Sequence, residues 1–261
     1  TGKEFDVLGT MPDIPSEKLV SERFEVGRNF CNKLWNATRF ALLNMEEATF
    51  RPLQIHALGL EDRWILSRLS RAIAEVHAQL EAYNPSAAIA AAREFFWSEL
   101  CDWYLEMIKP RLREAGEAET ARQVLAFAID QVLRLLHPCI PFLTEFLWQR
   151  LNEHAPQRGI EQALEVPELI AGAVWPRSQD AWQNAQLEHD VDFLRAVIRA
   201  IRDIRSQYTV PPKQTIQVRI KVDSATGQAA QILAAGSAHI RQLAAVESLQ
   251  IATDVERTAD A

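Results

Sequence analysis

Asn29, Lys33, Asn36 and Phe40 stand at i, i+4, i+7 and i+11 in the segment from Phe24 to Met45. At ~100° per residue that spacing is one stripe of an α-helix. Arg28, Asn32 and Arg39 lie beside the stripe, while Phe24, Cys31, Leu34, Trp35, Thr38, Leu42 and Met45 fall on the other side, which predicts the core stripe. A solvated helix face normally carries Glu and Lys in mixed pairs. Asparagine is a weak helix former, so a row of amides with a ring away from the core asks for another use. Amides hydrogen-bond to base edges, cations meet phosphate, and an aromatic ring stacks on an unpaired base. This face therefore has the chemistry for single-stranded nucleic acid. A plainer reading competes: Phe40 packs on a neighbouring helix and the amides face water.

Arg195, Arg199 and Arg202 form a second cationic set, on the flank of a later apolar stripe. They either track an RNA backbone or pair with acids elsewhere and dock two parts of the chain. Asp62 with Arg63, and Glu99 with Asp102, are charged groups inside helical contexts, and capping or ion pairing accounts for them better than catalysis. The six histidines are dispersed, and none forms an i, i+4 pair of metal-ligating type. His137, between Leu136 and Pro138, reads as a structural imidazole at a helix C-terminus. The nine glycines are scattered, so no phosphate-cradling loop can be built from them. No nucleophile-elbow serine is present. The expectation is no catalytic residue and no metal.

The chain of 261 residues has a formal net charge of −7. Residues 186–261 are neutral, and the whole excess lies in residues 1–185, concentrated around Glu114–Glu119 and Glu161–Glu168. Local patches attract phosphate within a Debye length of ~8 Å, so an acidic total is compatible with reading bases, and it predicts weak binding by this chain alone. No apolar run approaches the ~20 residues of a membrane span, and no leader of signal-peptide type opens the sequence. Cys31, Cys101 and Cys139 sit far apart in apolar contexts, which suggests buried free thiols in a reducing, cytoplasmic compartment.

The elements that position these residues follow from periodicity and punctuation. Residues 1–15, with prolines and glycines, read as a connector, and Ser16 or Ser21 is a candidate cap for the first helix. A second helix is expected over 61–82, with Trp64, Leu66, Leu69, Ile73, Val76 and Leu80 inward. Asn84-Pro85 restarts a helix, with Asn as N-cap and Pro in the first turn, and that helix runs to Lys109 before Pro110. Its aromatic residues Phe95, Phe96, Trp97, Trp103 and Tyr104 read as core. Helices over 117–136 and 142–153 complete a bundle spanning 16–154. An irregular linker, 155–185, leads to a smaller α/β unit, 186–261. There a long helix, 186–207, places Leu187, Val191, Leu194, Ile198 and Ile201 on one stripe and ends before Pro211-Pro212. Residues 215–222 then alternate with period two, which predicts a half-buried strand. Short helices over 228–235 and 238–245 and a strand near 248–252, pairing with the first, follow.

The run Arg28-Asn29-Phe30-Cys31-Asn32-Lys33-Leu34-Trp35-Asn36-Ala37-Thr38-Arg39-Phe40 resembles the helix that opens the anticodon-binding domain of valyl-tRNA synthetases, a class I aminoacyl-tRNA synthetase family. Asp62 to Leu69, Glu94 to Glu106, Leu136 to Trp148, and Ile201 to Ser206 with Tyr208 and Val210-Pro211-Pro212 resemble later family segments, in family order. The wording Phe96-Trp97-Ser98-Glu99-Leu100-Cys101-Asp102-Trp103-Tyr104 favours the valyl family over its isoleucyl and leucyl relatives. The resemblance covers residues from about 20 to 252. It implies a mainly α fold, an anticodon-binding helix bundle followed by a small α/β subdomain. It also implies a partner, a valine tRNA held through its anticodon loop. On the matching positions Asn29, Asn32, Lys33 and Asn36 would contact bases and phosphate, Phe40 would stack, and Arg28 and Arg39 would neutralise backbone.

The family's His-Ile-Gly-His and Lys-Met-Ser-Lys-Ser type motifs do not occur here, and the sequence starts at Thr1. The expectation is therefore a monomeric C-terminal piece that binds tRNA without a cofactor and does not catalyse. The full-length enzyme would join valine to tRNA using ATP and edit threonyl-tRNA in a domain outside this chain. The alternative is a helical protein–protein adaptor that ignores RNA, or, less simply, an enzyme whose site the sequence does not reveal.

Overall fold

A computed structural model describes residues 22–45, 50–114, 116 and 118–255. The connector over 1–15 and the Ser16 or Ser21 cap lie outside them. Helix α1 (Glu22–Leu43) and helix α2 (Leu60–Glu81) are followed by α3 (Pro85–Glu94), whose N-cap is made as the sequence predicts: the Asn84 side chain accepts from the Ala87 N–H. Instead of continuing as an ordinary α-helix, the chain widens into a π-wound segment over Phe95–Tyr104, then closes through a single turn, α4 (Leu105–Ile108). Helix α5 (Ala118–Leu136) is the most buried of the bundle, and α6 (Pro141–His154) follows the Pro138 link.

The bundle core is Leu34, Trp64, Ile65, Leu66, Leu69, Phe95, Phe96, Tyr104, Leu125, Leu133 and Trp148, all at most 2% exposed. Each buried side chain of this kind contributes roughly 1.5–3 kcal/mol. Leu80, expected inward, is 42% exposed at the C-terminal end of α2. Residues 155–184 carry short turns at Ile170–Gly172 and Asp180–Trp182 and an isolated antiparallel bridge between Gly159 and Ala163, and they are anchored. Asp130 and Arg158 are fully buried and bonded at 2.9 Å, and Arg134 bridges Asp130 to the Val174 carbonyl. The Trp148 indole N–H donates to the Pro167 carbonyl. Gly159 turns this segment at φ +151°, where a β-carbon would meet the Gln162 carbonyl oxygen at 2.0 Å.

Helix α7 (Ala185–Gln207) buries Leu187, Val191, Leu194, Ile198 and Ile201, as its spacing predicts. Strand β1 (Ile216–Lys221), helix α8 (Gln228–Ala235), helix α9 (Ser237–Ala244) and strand β2 (Val246–Ala252) complete the α/β unit. The strands pair in parallel, Val218 opposite Leu249 and Ile220 opposite Ile251, with one irregularity after Ile216. Parallel pairing needs a crossover, and α8 and α9 supply it. At their junction Gly236 lets the backbone approach Leu194, whose methyl carbons a β-carbon would meet at 2.5 Å. No helix among the described residues is long and apolar enough to cross a membrane.

Candidate nucleic-acid interface

The inward side of α1 matches the stripe that spacing predicts only in part: Leu34, Thr38 and Met45 are buried and Cys31 and Leu42 half-buried as expected, but the line is turned toward Phe30 and Ala41. The buried line is Phe30, Leu34, Thr38, Ala41 and Met45, whereas Phe24 is 77% and Trp35 40% exposed. The cause is the pair of neighbours that α1 lies between. On one side the Phe30 ring meets Phe96 edge-on at 5.6 Å and stacks near Trp97 at 6.4 Å, which draws Phe30 inward. On the other, Trp35 stacks on Phe146 of α6 at 5.2 Å, and α6 stops short of covering it.

Arg28, Asn29, Asn32, Asn36 and Arg39 are all exposed and form the crest of α1. The three asparagine amides make no hydrogen bond to other described residues, so their donors and acceptors point into solvent. Arg28 has only a loose 3.7 Å pairing with Glu25. Lys33 and Phe40 are not open in this way. Lys33 sits over the Trp97 ring at 3.9 Å and donates to Asp102 at 2.6 Å, its side chain 23% exposed. Phe40 is half-buried against the core, with the Lys109 ammonium 5.8 Å from its ring. Both therefore belong to a rim, where α1 meets the stretch from Trp97 to Lys109, rather than to the crest.

The crest has aromatic borders on both sides. One is Phe40 with Trp97; the other is Trp35 with Phe146, whose ring carries Arg150 at 5.3 Å. Phe142, 92% exposed, extends the second border. Sequence reasoning assigned Trp35 and Trp97 to the core and gave no role to Phe142 and Phe146. The available signal was their type: large rings on helices whose inward arc was already filled.

The other charged candidates resolve into structure. Glu99 pairs with Arg68, and burial pushes its carboxyl above the ordinary range. Arg111 bridges Glu61 and Asp62. Burial pushes the Glu61 carboxyl up, but the His239 ring, its own backbone N–H and Arg111 outweigh it and hold the group down to about 2. Asp62 accepts from the fully buried Tyr104 hydroxyl at 2.8 Å, and burial holds it above the ordinary range. His137 is tied to the Thr144 hydroxyl at 2.8 Å. Among the described residues no cluster of His, Cys, Asp and Glu could hold a metal. All three cysteines are free, but only Cys101 is buried, with its thiol pushed up by burial to about 12; Cys31 is half-buried and Cys139 exposed on the proline-bracketed turn.

Arg195, Arg199 and Arg202 converge on one ring. Their guanidinium carbons lie 4.9, 5.3 and 5.8 Å from the Trp103 centroid, and Arg195 also lies 5.6 Å from that of Trp64. Arg195 is thereby a contact between α7 and the bundle. Arg199 and Arg202 stay exposed.

Residues 62–220 match the family described as the anticodon-binding domain of tRNA ligase. The chain is 36% identical to a valine–tRNA ligase of Rhodopirellula baltica over 92% of its own length and 23% of that protein's. It is 38% identical to that of Geobacter sulfurreducens, covering 94% of this chain and 27% of that one. With the valine–tRNA ligase of Carboxydothermus hydrogenoformans the identity is 41%, over 76% of this chain and 21% of the other. The chain thus spans about a quarter of the length of the curated relatives it matches.

Proposed function

This chain belongs to the anticodon-binding domain family of tRNA ligases, and we propose that it reads the anticodon loop of a valine tRNA with the crest of α1. The observation that carries this is the row of exposed amides and arginines, Arg28, Asn29, Asn32, Asn36 and Arg39, set between two aromatic borders. Splayed loop bases need ring faces to stack on and amides that offer a donor and an acceptor together. Both lie within one helix width. The Lys33 ammonium, on the Trp97 rim, is the nearest charge for a phosphate passing between crest and rim.

In this reading the chain supplies recognition while the chemistry resides in other parts of a valine–tRNA ligase, which uses ATP to esterify valine to the bound tRNA in the cytoplasm. The chain acts as a monomer and needs neither metal nor cofactor for its own part. The test is binding of hairpins made as the anticodon arm of a valine tRNA, with the anticodon bases intact or exchanged. Asn36→Ala and Asn29→Ala are expected to reduce the preference for the intact anticodon without lowering the thermal midpoint. Equal affinity for both hairpins in the wild-type chain would sink the proposal. So would binding of partner proteins with no RNA affinity, the adaptor outcome. The chain alone is expected to give no valine-dependent ATP–pyrophosphate exchange.

A further inference from the structure

We propose that Arg199 and Arg202 form a second RNA contact, a sequence-independent phosphate site that grips the paired stem next to the loop read by α1. The inference rests on the anticodon-arm reading above and adds a surface to it. Three guanidiniums share the face of Trp103, and like charges so close repel unless anions compensate them. The acids at hand leave Arg199 and Arg202 without a bonded carboxylate: Asp203, one turn on from Arg199 along α7, is exposed and makes no ion pair with either. Asp192 is bonded to Arg195 at 2.8 Å. Glu99 is bonded to Arg68 and also attracts Arg195, and Asp102 is bonded to Lys33. Glu106 is bonded to Lys109 at 2.5 Å. Arg199 makes no hydrogen bond or ion pair with any described residue, and its guanidinium lies over the Trp103 ring and is repelled by Arg195. Arg202 spends its Nε on the Leu243 carbonyl at 2.8 Å, which leaves the outer edge of its fork to solvent. Stacking on the indole fixes each guanidinium plane while leaving N–H groups to donate, a preorganised arrangement for phosphate oxygens.

Placement selects RNA backbone as the ligand. Trp103 follows Asp102, the partner of Lys33, so consecutive residues of the π-wound segment link the rim of the loop site to the arginine pair. A backbone leaving α1 across that rim meets Arg199 and Arg202 next. They offer forks without base-reading amides, which is the chemistry of positioning rather than of specificity.

The experiment compares wild-type chain with Arg199→Gln/Arg202→Gln, using the anticodon-arm hairpin and the same loop sequence as an unpaired oligonucleotide, across a salt series. The double variant is expected to bind the hairpin about tenfold more weakly and to lower the slope of log affinity against log salt by about 1–2. Its affinity for the unpaired loop and its preference for the intact anticodon should not change. Arg199→Lys/Arg202→Lys, which keeps charge but loses the stacked fork, should restore most of the salt slope. If the glutamine variant keeps wild-type hairpin affinity and salt slope, whether or not its thermal midpoint falls, the site does not exist although the loop reading stands. If the wild-type chain binds neither RNA, both proposals fall.

Discussion

Lys33 and Asp102 hold the most informative single interaction in the proposed interface. The ammonium is bonded to the carboxylate at 2.6 Å and lies over Trp97 at 3.9 Å, with Asp102 half-exposed. A phosphate arriving there competes with Asp102 for the same cation. An exposed pair of this kind contributes only ~0.2–1 kcal/mol to folding, so the carboxylate can be removed at little cost. Asp102→Asn is expected to tighten RNA binding several-fold and steepen its salt dependence, while Lys33→Ala weakens binding and lowers the slope by ~1. Weaker RNA binding by Asp102→Asn would show that this rim does not meet phosphate. Phe40 answers differently because it is half-buried. Phe40→Ala should cost roughly 1–2 kcal/mol of stability, below the ~3–5 of a fully enclosed ring. It should also weaken RNA binding by about tenfold, as loss of one stacked base would. A fall in thermal midpoint with unchanged affinity per folded molecule would make the ring packing alone. At this scale the sequence revealed the crest but not its borders. Spacing identifies which residues share a side of α1, but how far the neighbouring helices wrap it decides that Phe30 goes in and Trp35 stays out.

Elements were legible where their signals are local. Asn84-Pro85 places the start of α3 because its cap is made within one turn, and the alternation before Val222 places β1 because period two has one structural meaning. The π-wound segment over Phe95–Tyr104 has no such local signature; its rings face three helices, Phe96 meeting Phe30 of α1, Tyr104 bonding Asp62 of α2 and Trp103 lying under the arginines of α7. The parallel sense of β1 and β2 depends on the crossover rather than on either strand. The start of α2 yields a prediction of its own. Glu61 is held at about 2 against an ordinary 4.5, so it binds its proton less readily folded than unfolded. Its stabilisation is whole above pH 4.5 and is lost as pH falls toward 2, a total of roughly 3 kcal/mol. Asp62, raised by burial, has the opposite sign and gains relative stability on acidification, which offsets part of the loss. Glu61→Gln should therefore lower the thermal midpoint at pH 6 and converge on wild type as pH approaches 2. A gap that stays constant with pH would mean that the Glu61 carboxylate does not contribute through its charge.

Taken as one molecule, the chain is held together across its two parts by polar contacts that no stripe or alternation announces. Glu188, in the first turn of α7, accepts from Ser67 at 2.5 Å and from Arg68 at 3.0 Å and pairs with Arg71. Burial pushes its carboxyl up, but those partners outweigh it and leave it below the ordinary range. Asn184 N–H donates to Ser67 at 2.9 Å, Arg195 lies between Trp64 and Trp103, and Gln242 of α9 reaches the Glu106 carbonyl. Glu188 and Ser67 are buried while Arg68 and Arg71 reach solvent, so removing Glu188 chiefly leaves the Ser67 hydroxyl and the inner edge of Arg68 without a partner, at a cost of ~1–3 kcal/mol. Apolar contact alone would allow α7 to slide, whereas these directional bonds fix its register on α2. That fixed register holds the Arg199–Arg202 pair against Trp103, the residue after the Lys33 partner Asp102, and so at a set separation from α1. The wild-type chain is therefore expected to unfold in one transition, with tryptophan fluorescence, dominated by the bundle, and far-ultraviolet circular dichroism changing together. Glu188→Ala with Arg195→Ala should split them, the α/β unit coming loose first while the bundle indoles remain enclosed. Two separate transitions in the wild type would mean that the parts are joined by chain alone, and a rigid span between the two proposed RNA contacts would then be untenable.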